Sequence, residues 1–227
     1  MIFWEILMNR LVGAVGVVFG LSMVAPAQQI STRVDLNAFL SGGIYYEEAF
    51  EAFNVANGSA SVLNATTLNS TSVVLGQGPG LVEPGATYRT GNLSNTLQWN
   101  GANYYGSATQ CLLSNSQSLE IDYTTNVNAM GVDLAAYTGY ADNYTAYVYD
   151  GSSLVGTASG ALSGVGTSFF GWENLGGITS VVFVDSVNPW SPIIDSHTYG
   201  LSPAPEPASI TALALGGLAL LRRRRKA

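Results

Sequence analysis

The sequence predicts an all-β fold, an antiparallel β-sandwich with a jelly-roll-like topology, flanked by an N-terminal signal helix and a short C-terminal transmembrane helix. Short runs rich in β-branched and aromatic residues alternate with clusters of Gly, Asn and Ser. No long apolar pattern with a helical period competes with them. An apolar run stands near each end and divides the chain into residues 1–27, a body over 28–202 and a tail over 203–227.

Two local patterns predict the first strands: alternation of apolar and polar residues, and a turn sequence between two apolar runs. "SLEIDY" (118–123) alternates apolar and acidic residues, as a half-buried strand does, and "VNAMGVDL" (127–134) is expected as a separate neighbouring strand. "TAYVYDGSSLVGTA" (145–158) predicts a hairpin that turns at Asp150-Gly151.

The later part of the body predicts two more strands. "ITSVVFVD" (178–185) is almost wholly apolar and is expected at the centre of a sheet, and "SPIIDSHTYG" (191–200) is expected as the last strand. Residues 56–91 are rich in Asn, Ser, Thr and Gly and are expected to hold long loops. Six to nine short strands without a helix predict a sandwich, for which a jelly roll is the preferred topology.

The N-terminal segment has the parts of a secretory signal peptide. Arg10 precedes an apolar stretch over 11–24, and Ala25-Pro26-Ala27 supplies small residues at the cleavage positions. We expect signal peptidase to read Ala25 and Ala27 and to cut after Ala27. The alternative is a retained membrane anchor.

The charges of the body exclude one class of function. The chain carries a formal net charge of −7, but the body has only Arg33 and Arg89 against thirteen Asp and Glu, a net charge of −11. Such a surface repels phosphate backbones, so nucleic acid is not expected as a partner.

The C-terminal run is too short for an ordinary membrane span. Residues 208–221 form an apolar stretch of 14 residues, which as a helix covers about 21 Å of the ~30 Å hydrocarbon core. The basic residues 222–226 that follow prefer the cytoplasmic side, as does Arg10. The two ends therefore predict one topology, with the body on the far side of the inner membrane.

The tail resembles the bacterial PEP-CTERM protein-sorting domain over residues 203–227. The resemblance is carried by a Pro-Glu-Pro triplet, a short hydrophobic stretch and an Arg cluster, in that order: Pro205, Glu206, Pro207, Arg222, Arg223, Arg224 and Arg225. It implies cleavage near the triplet by an exosortase in a Gram-negative bacterium that makes exopolysaccharide. It also implies transient anchoring by the C-terminal helix, then delivery to the cell surface or extracellular matrix. Ala208-Ser209 departs mildly from the commonest Ser-Thr pair.

A second resemblance covers residues 115–200. The layout of "FFGWENLGGITSVVFVD" followed by "IIDSHTYG" is similar to jelly-roll modules of secreted bacterial proteins. Such modules often bind carbohydrate or serve as adhesive domains, which the resemblance implies for this body.

The residues argue against an enzyme. His197 is the sole histidine and no Gly-x-Ser-x-Gly elbow occurs, so a serine triad is not expected. One His and one Cys cannot make a usual zinc site. Cys111 is interpreted as a buried small hydrophobe rather than a reactive thiol. Glu47, Glu48 and Glu51 could supply paired carboxylates for glycoside cleavage, but a solvated face with Phe50 and Phe53 turned inward is the preferred interpretation.

No cofactor is expected apart from a structural calcium ion. Modules of the kind resembled often hold calcium between an acid of an early strand and an acid of the last strand. The corresponding residues are Glu48 or Glu51 with Asp195, and Asp133 as a further candidate. Carboxylate oxygens are the ligands that Ca²⁺ prefers, although no loop shows the usual calcium-loop spacing.

Aromatic side chains offer a face for glycans, because sugars stack their C–H faces on aromatic rings while polar groups take the hydroxyls. The candidates, of which the last two lie in expected loops, are Trp99, Tyr104, Tyr105, Tyr140, Trp172 and Trp190. The alternative is that half of these aromatic residues belong to the core. Tyr147 and Tyr149 alternate within a strand and fit either the core or the surface.

Three hypotheses for the body follow. The first is a non-enzymatic surface or matrix protein associated with exopolysaccharide. The second is a carbohydrate-binding module with a specific glycan site, and the third is a glycan-cleaving enzyme.

Overall fold

The structure, a computed structural model, describes residues 27–105, 108–136, 142–162, 166–185 and 193–203. In these ranges the chain forms twelve strands and one helix, and every strand pairing is antiparallel. The elements are β1 (Gln28–Ile30), α1 (Arg33–Leu40), β2 (Ile44–Glu48), β3 (Ala60–Val62), β4 (Thr67–Asn69), β5 (Ala86–Thr90), β6 (Leu97–Asn100), β7 (Cys111–Ser114), β8 (Ser118–Ala135), β9 (Asp142–Asp150), β10 (Ser153–Leu162), β11 (Thr167–Asp185) and β12 (Ile193–Leu201). The predicted antiparallel all-β body is confirmed, while the jelly-roll topology stays a prediction.

Two long strands, β8 and β11, join the sheet into two layers. They pair with each other along most of their length, with register shifts between Glu173 and Ser180. The first half of β8 also pairs with β5, and its second half pairs with β12. We call β4, β5, the first half of β8, the second half of β11, β9 and β10 the first layer. The second layer holds β1, the other halves of β8 and β11, β12 and β2, and continues through β7, β6 and β3.

The core lies between the two layers. Tyr88 on β5 and Tyr123 on β8 belong to the first layer, and both contact His197 on β12 of the second layer. Trp99 on β6 packs against Phe50 in the same cluster. β5 does not pair with β12, and Tyr123 lies on the half of β8 that pairs with β5 instead of β12. Side chains of the two layers therefore meet face to face, as in a sandwich.

Most strand predictions are confirmed. The hairpin turns at Asp150-Gly151, with Ser153 opposite Asp150. Residues 178–185 form a central stretch of β11 between β8 and β9, and residues 193–201 form the last strand. One prediction is wrong, because residues 118–123 and 127–134 belong to the single strand β8.

The helix α1 was not expected, and residues 56–91 contain three short strands rather than loops alone. Thr32 caps α1 by accepting a hydrogen bond from the Asp35 backbone N–H (3.1 Å). Leu36 and Leu40, one turn apart, are buried against the sheet. Gly131 on β8 makes room for the helix, since a Cβ there would lie 2.6 Å from a methyl carbon of Leu36.

The predicted sorting signal (203–227) lies outside the described residues apart from Pro203, as do Ala25, Tyr140 and Trp190. Ala27, the last residue of the predicted signal peptide, is partly buried against the main core, and the cleavage positions stay predictions. Within the described ranges, no helix is both long enough and apolar enough to cross a membrane.

Candidate functional site

The outward face of the first layer brings polar and aromatic side chains together. Successive residues of a strand point to opposite faces. On β8, Leu119 and Ile121 are buried in the core, so Glu120 and Asp122 point outward. On β9, Ala146 and Val148 are buried, so Tyr147 and Tyr149, which alternate with them, are directed outward as well.

The strand register aligns these side chains in two rows across four strands. One row runs from Thr87 through Asp122 and Ser180 to Tyr149, and the next from Arg89 through Glu120 and Val182 to Tyr147. Neighbouring strands lie about 4.8 Å apart, so the backbone of β9 lies about 10 Å from that of β8, with β11 between them. Only the short side chains of β11 lie between them. We call this strip of the outward face the outer groove, with Arg89, Glu120 and Asp122 on one wall, Ser180 and Val182 on the floor, and Tyr147 and Tyr149 on the other wall.

The charged wall of the outer groove is an ion-pair cluster. Arg89 Nη2 lies 2.5 Å from Asp122 Oδ2 and 3.4 Å from Glu120 Oε1. The side chains are 40%, 29% and 30% exposed for Arg89, Asp122 and Glu120, so a ligand can reach them from solvent. Burial raises the pKa of Glu120, and the neighbouring Asp122 raises it further, although Arg89 acts in the opposite direction. With both acids ionised the cluster carries one net negative charge.

This arrangement suits a polyhydroxylated ligand. The tyrosine rings offer aromatic surface for the C–H face of a sugar, and the carboxylate oxygens accept hydrogen bonds from hydroxyl groups. The two tyrosines are two residues apart on one strand, so they follow each other at about 7 Å along the groove. A chain-like ligand can therefore contact both.

Two of the predicted glycan-binding residues are core residues, which corrects the sequence analysis. Trp99 is 0% exposed, and its indole Nε1–H donates to the Phe50 carbonyl oxygen at 2.9 Å. Trp172 is 6% exposed and stacks against Phe170. A Cβ on Gly156 would lie 2.0 Å from its ring, so the indole covers that glycine within the sandwich. Neither tryptophan is available to a sugar.

Tyr104 and Tyr105 lie at the surface, after β6 and away from the outer groove. Tyr104 is 39% exposed and its ring meets that of Tyr105 edge to face at 4.5 Å between centroids. Tyr105 is partly buried against the small cluster around Cys111. Burial is the main cause that raises the pKa of Tyr105. The pair forms a second aromatic surface outside the outer groove, whereas Tyr140 and Trp190 are not among the described residues.

The four predicted calcium ligands are engaged in separate contacts. Glu48 is buried and accepts hydrogen bonds from the backbone N–H groups of Phe50 (2.5 Å) and Glu83 (2.7 Å). Burial raises its pKa despite these bonds. Asp133 lies 2.7 Å from Arg33 Nη2. Glu48 therefore does not belong to a solvated face, which corrects that interpretation, although the predicted burial of Phe50 and Phe53 is confirmed.

The other two predicted ligands also have protein partners. Glu51 accepts from the backbone N–H of Gln110 (2.9 Å) and from its side-chain amide (3.0 Å). Asp195 accepts a hydrogen bond from Thr109. Among the residues that the structure describes, no three His, Cys, Asp or Glu side chains are grouped to hold a metal ion. The calcium site stays a prediction without structural support.

His197 and Cys111 have surroundings that suit packing rather than catalysis. Tyr88 Oη lies 2.9 Å from His197 Nδ1 and Tyr123 Oη lies 3.0 Å from Nε2, so both ring nitrogens are occupied within the core. Burial lowers the pKa of His197 to about 3. The Cys111 thiol is buried, and burial raises its pKa to about 12, so the predicted inert cysteine agrees with its position.

The residues of the outer groove were largely missed by the sequence analysis. The alternation around Tyr147 and Tyr149 fits either the core or the surface, and Arg89, Glu120 and Asp122 are not among the predicted site residues. A signal did exist, because alternation in 118–123 places both acids on one face. What was missing was the order of the strands, which brings β8 and β9 to either side of β11.

No protein-family model matches the chain, and no curated protein matches it. Three solved structures of carbohydrate-binding modules show some similarity. A family 6 module studied for its binding sub-sites is 14% identical with a TM-score of 0.30, over 63% of this chain and 92% of that one. CsCBM6-3 from Clostridium stercorarium, solved with cellobiose, is 16% identical with a TM-score of 0.30, over 51% and 86%. The CBM32 of AlyQ, solved with 4,5-unsaturated mannuronic acid, is 20% identical with a TM-score of 0.26, over 48% and 79%. These TM-scores are too low to assign a ligand or a site to this chain.

Proposed function

We propose that the protein is an exported, non-enzymatic glycan-binding protein whose outer groove holds a polysaccharide chain. The observation that carries this proposal is the pair of rows across the first layer, in which tyrosines on β9 and hydrogen-bonding groups on β8 and β5 flank the short side chains of β11. This geometry favours a defined binding site over a passive matrix component. Exopolysaccharide is the natural ligand class for a protein delivered to the cell surface.

Each wall of the groove has a separate task. Tyr147 and Tyr149 supply area for stacking, which gives affinity. Glu120 and Asp122 accept hydrogen bonds from hydroxyl groups, which fixes the orientation of the sugar. Arg89 holds both carboxylates in place through its two ion pairs. No acid–base chemistry is assigned to the two acids, because both contact the same guanidinium rather than lying on opposite sides of a cleft.

Replacing a groove tyrosine is expected to weaken glycan binding. Tyr147→Ala and Tyr149→Ala should each raise the dissociation constant for the best ligand by about tenfold, which corresponds to ~1.4 kcal/mol. The measurement is titration calorimetry against a panel of bacterial polysaccharides. Tyr104→Ala is the matched control, since it removes a part-exposed tyrosine elsewhere on the surface. Loss of binding in the control alone would move the site to the Tyr104–Tyr105 pair.

We also propose that residues 203–227 act as a sorting signal that an exosortase removes. The support is the order of the Pro-Glu-Pro triplet, the apolar run and the Arg cluster. In a host with an exosortase, the mature chain is expected to end near Pro205, whereas replacing Pro205, Glu206 and Pro207 together by Ala should leave the tail attached. Mass spectrometry of the surface fraction measures the difference. Thr211→Ala is the control, and cleavage that persists in the triple variant would refute the assignment.

A further inference from the structure

We infer that the outer groove selects uncharged or amine-bearing glycans and rejects those that carry carboxylate, sulfate or phosphate groups. This inference rests on the proposed function and specifies the ligand class of the same site. It follows from the number, the contacts and the placement of the charges in the groove.

The one basic residue of the groove is already engaged. Arg89 directs Nη2 toward both Asp122 and Glu120. Its Nε is buried, so a ligand in the groove cannot contact it. Recognition of an anionic sugar uses a free guanidinium fork or ammonium group. Here Nη2 is already shared by two carboxylates, so an anionic sugar would approach a guanidinium that lies beside two negative charges.

The rest of the body supplies no compensating positive charge. Its other basic residue is Arg33, and the body contains no Lys. Arg33 lies on α1, where its guanidinium contacts Asp133 (2.7 Å), Ser196 (2.7 Å) and Thr198 (2.6 Å) on the second layer. An approaching anion therefore meets a negative electrostatic potential, which carboxylates produce both in the groove and over the rest of the surface.

The hydrogen-bonding character of the wall leads to the same ligand class. An ionised carboxylate only accepts hydrogen bonds, so its partner must donate. Sugar hydroxyl and ammonium groups donate, whereas carboxylate and sulfate groups do not. An anionic sugar would thus face a repulsive charge and lose a donor at the same position.

The test compares matched neutral and anionic polysaccharides on the purified full-length protein. The probes are a neutral glucan, mannan, galactan and xylan, each with its carboxymethylated derivative, in titrations at low and at near-physiological salt. We expect at least one neutral polymer to bind and its carboxymethylated form to bind at least tenfold more weakly. The difference should shrink as salt rises, because the screening length falls from about 30 Å at 0.01 M to about 8 Å at 0.15 M.

Two groove variants test whether the charge of the groove, rather than its shape, causes the preference for neutral polymers. Glu120→Gln with Asp122→Asn removes both ion pairs of Arg89. In this double variant the neutral and the carboxymethylated forms should bind about equally well. Arg89→Gln should increase the preference, which keeps the inference testable if the double variant does not fold. Asp35→Asn with Glu47→Gln makes the same change in net charge at exposed positions outside the groove and should leave the preference unchanged.

The outcomes distinguish this inference from the proposed function. Binding of a neutral polymer with a tenfold or larger preference that the double variant removes supports both. Equal or tighter binding of the carboxymethylated form overturns the charge selection and leaves glycan binding intact. If none of the polymers binds, the proposed function fails, and the inference fails with it.

Discussion

Lowering the pH from 6.5 to 4 is expected to destabilise the folded body by about 3 kcal/mol through His197 alone. Its folded pKa is about 3, against an ordinary value of 6.5, because the ring is fully buried and Arg33 adds to the unfavourable field. Between these two values the unfolded chain binds a proton at His197 and the folded chain does not. Stability from this residue is therefore complete above pH 6.5 and falls as the pH drops toward 3.

The three tyrosines around His197 do not titrate in the acid range, whereas Glu48 does. Its ring nitrogens face Tyr88 and Tyr123, and its ring stacks on Tyr199. Burial raises the pKa of all three phenols, so they remain neutral throughout the acid range. Glu48, opposite His197 in the strand register, acts in the other direction because its pKa is raised. Above pH 4.5 its folded form binds a proton more readily than its unfolded form, which stabilises the body as the pH falls through that window.

Urea unfolding at pH 7, 5.5 and 4 measures the pH dependence. His197→Gln removes the titrating group while keeping one donor and one acceptor between the two phenols. The wild-type protein should lose stability toward pH 4 more steeply than this variant. Parallel pH profiles for the two proteins would show that His197 does not control acid stability.

Replacing Trp99 by Ala is expected to reduce the free energy of unfolding by about 4 kcal/mol. The side chain is fully buried against Phe50 and Phe53, so truncation leaves a large cavity. The Phe50 carbonyl also loses the indole N–H donor that lies 2.9 Å away. Trp99→Phe should cost less, since the phenyl ring fills part of the cavity, although the indole N–H donor is still lost.

Denaturant unfolding combined with glycan titration separates stability from binding in the Trp99 variants. The folded fraction of Trp99→Ala should bind the glycan with wild-type affinity, because the outer groove lies on the opposite side of the first layer from the core. A normal unfolding free energy together with lost binding would contradict the structure and restore Trp99 as a contact residue.

The parts of the fold that the sequence predicted depend on local signals. The Asp150-Gly151 turn specifies the β9–β10 hairpin, and alternation in 118–123 specifies which side chains of β8 point into the core. The apolar run 178–185 is central because both of its edges are paired. Such features need no information from distant residues.

The parts that failed depend on distant residues. Thr124, Thr125 and Asn126 are polar and exposed, and they suggested a break where β8 in fact passes between layers. The helix α1 has only eight residues, and its apolar face of Leu36, Phe39 and Leu40 is too short a pattern to detect. All four residues of β6 are buried, so alternation could not show that Trp99 points into the core. Exposure of an aromatic residue is decided by what covers it.

The position of β12 has a mechanical consequence. This strand is hydrogen-bonded to β8 on one side and to β2 and β7 on the other, and the chain leaves it at residues 202–203. A force applied to the body through those residues pulls along β12, roughly perpendicular to its hydrogen bonds. Many bonds must then shear together instead of opening one at a time, as they would at a peeled edge strand. Tension from this end therefore loads the hydrogen bonds of β12 in shear.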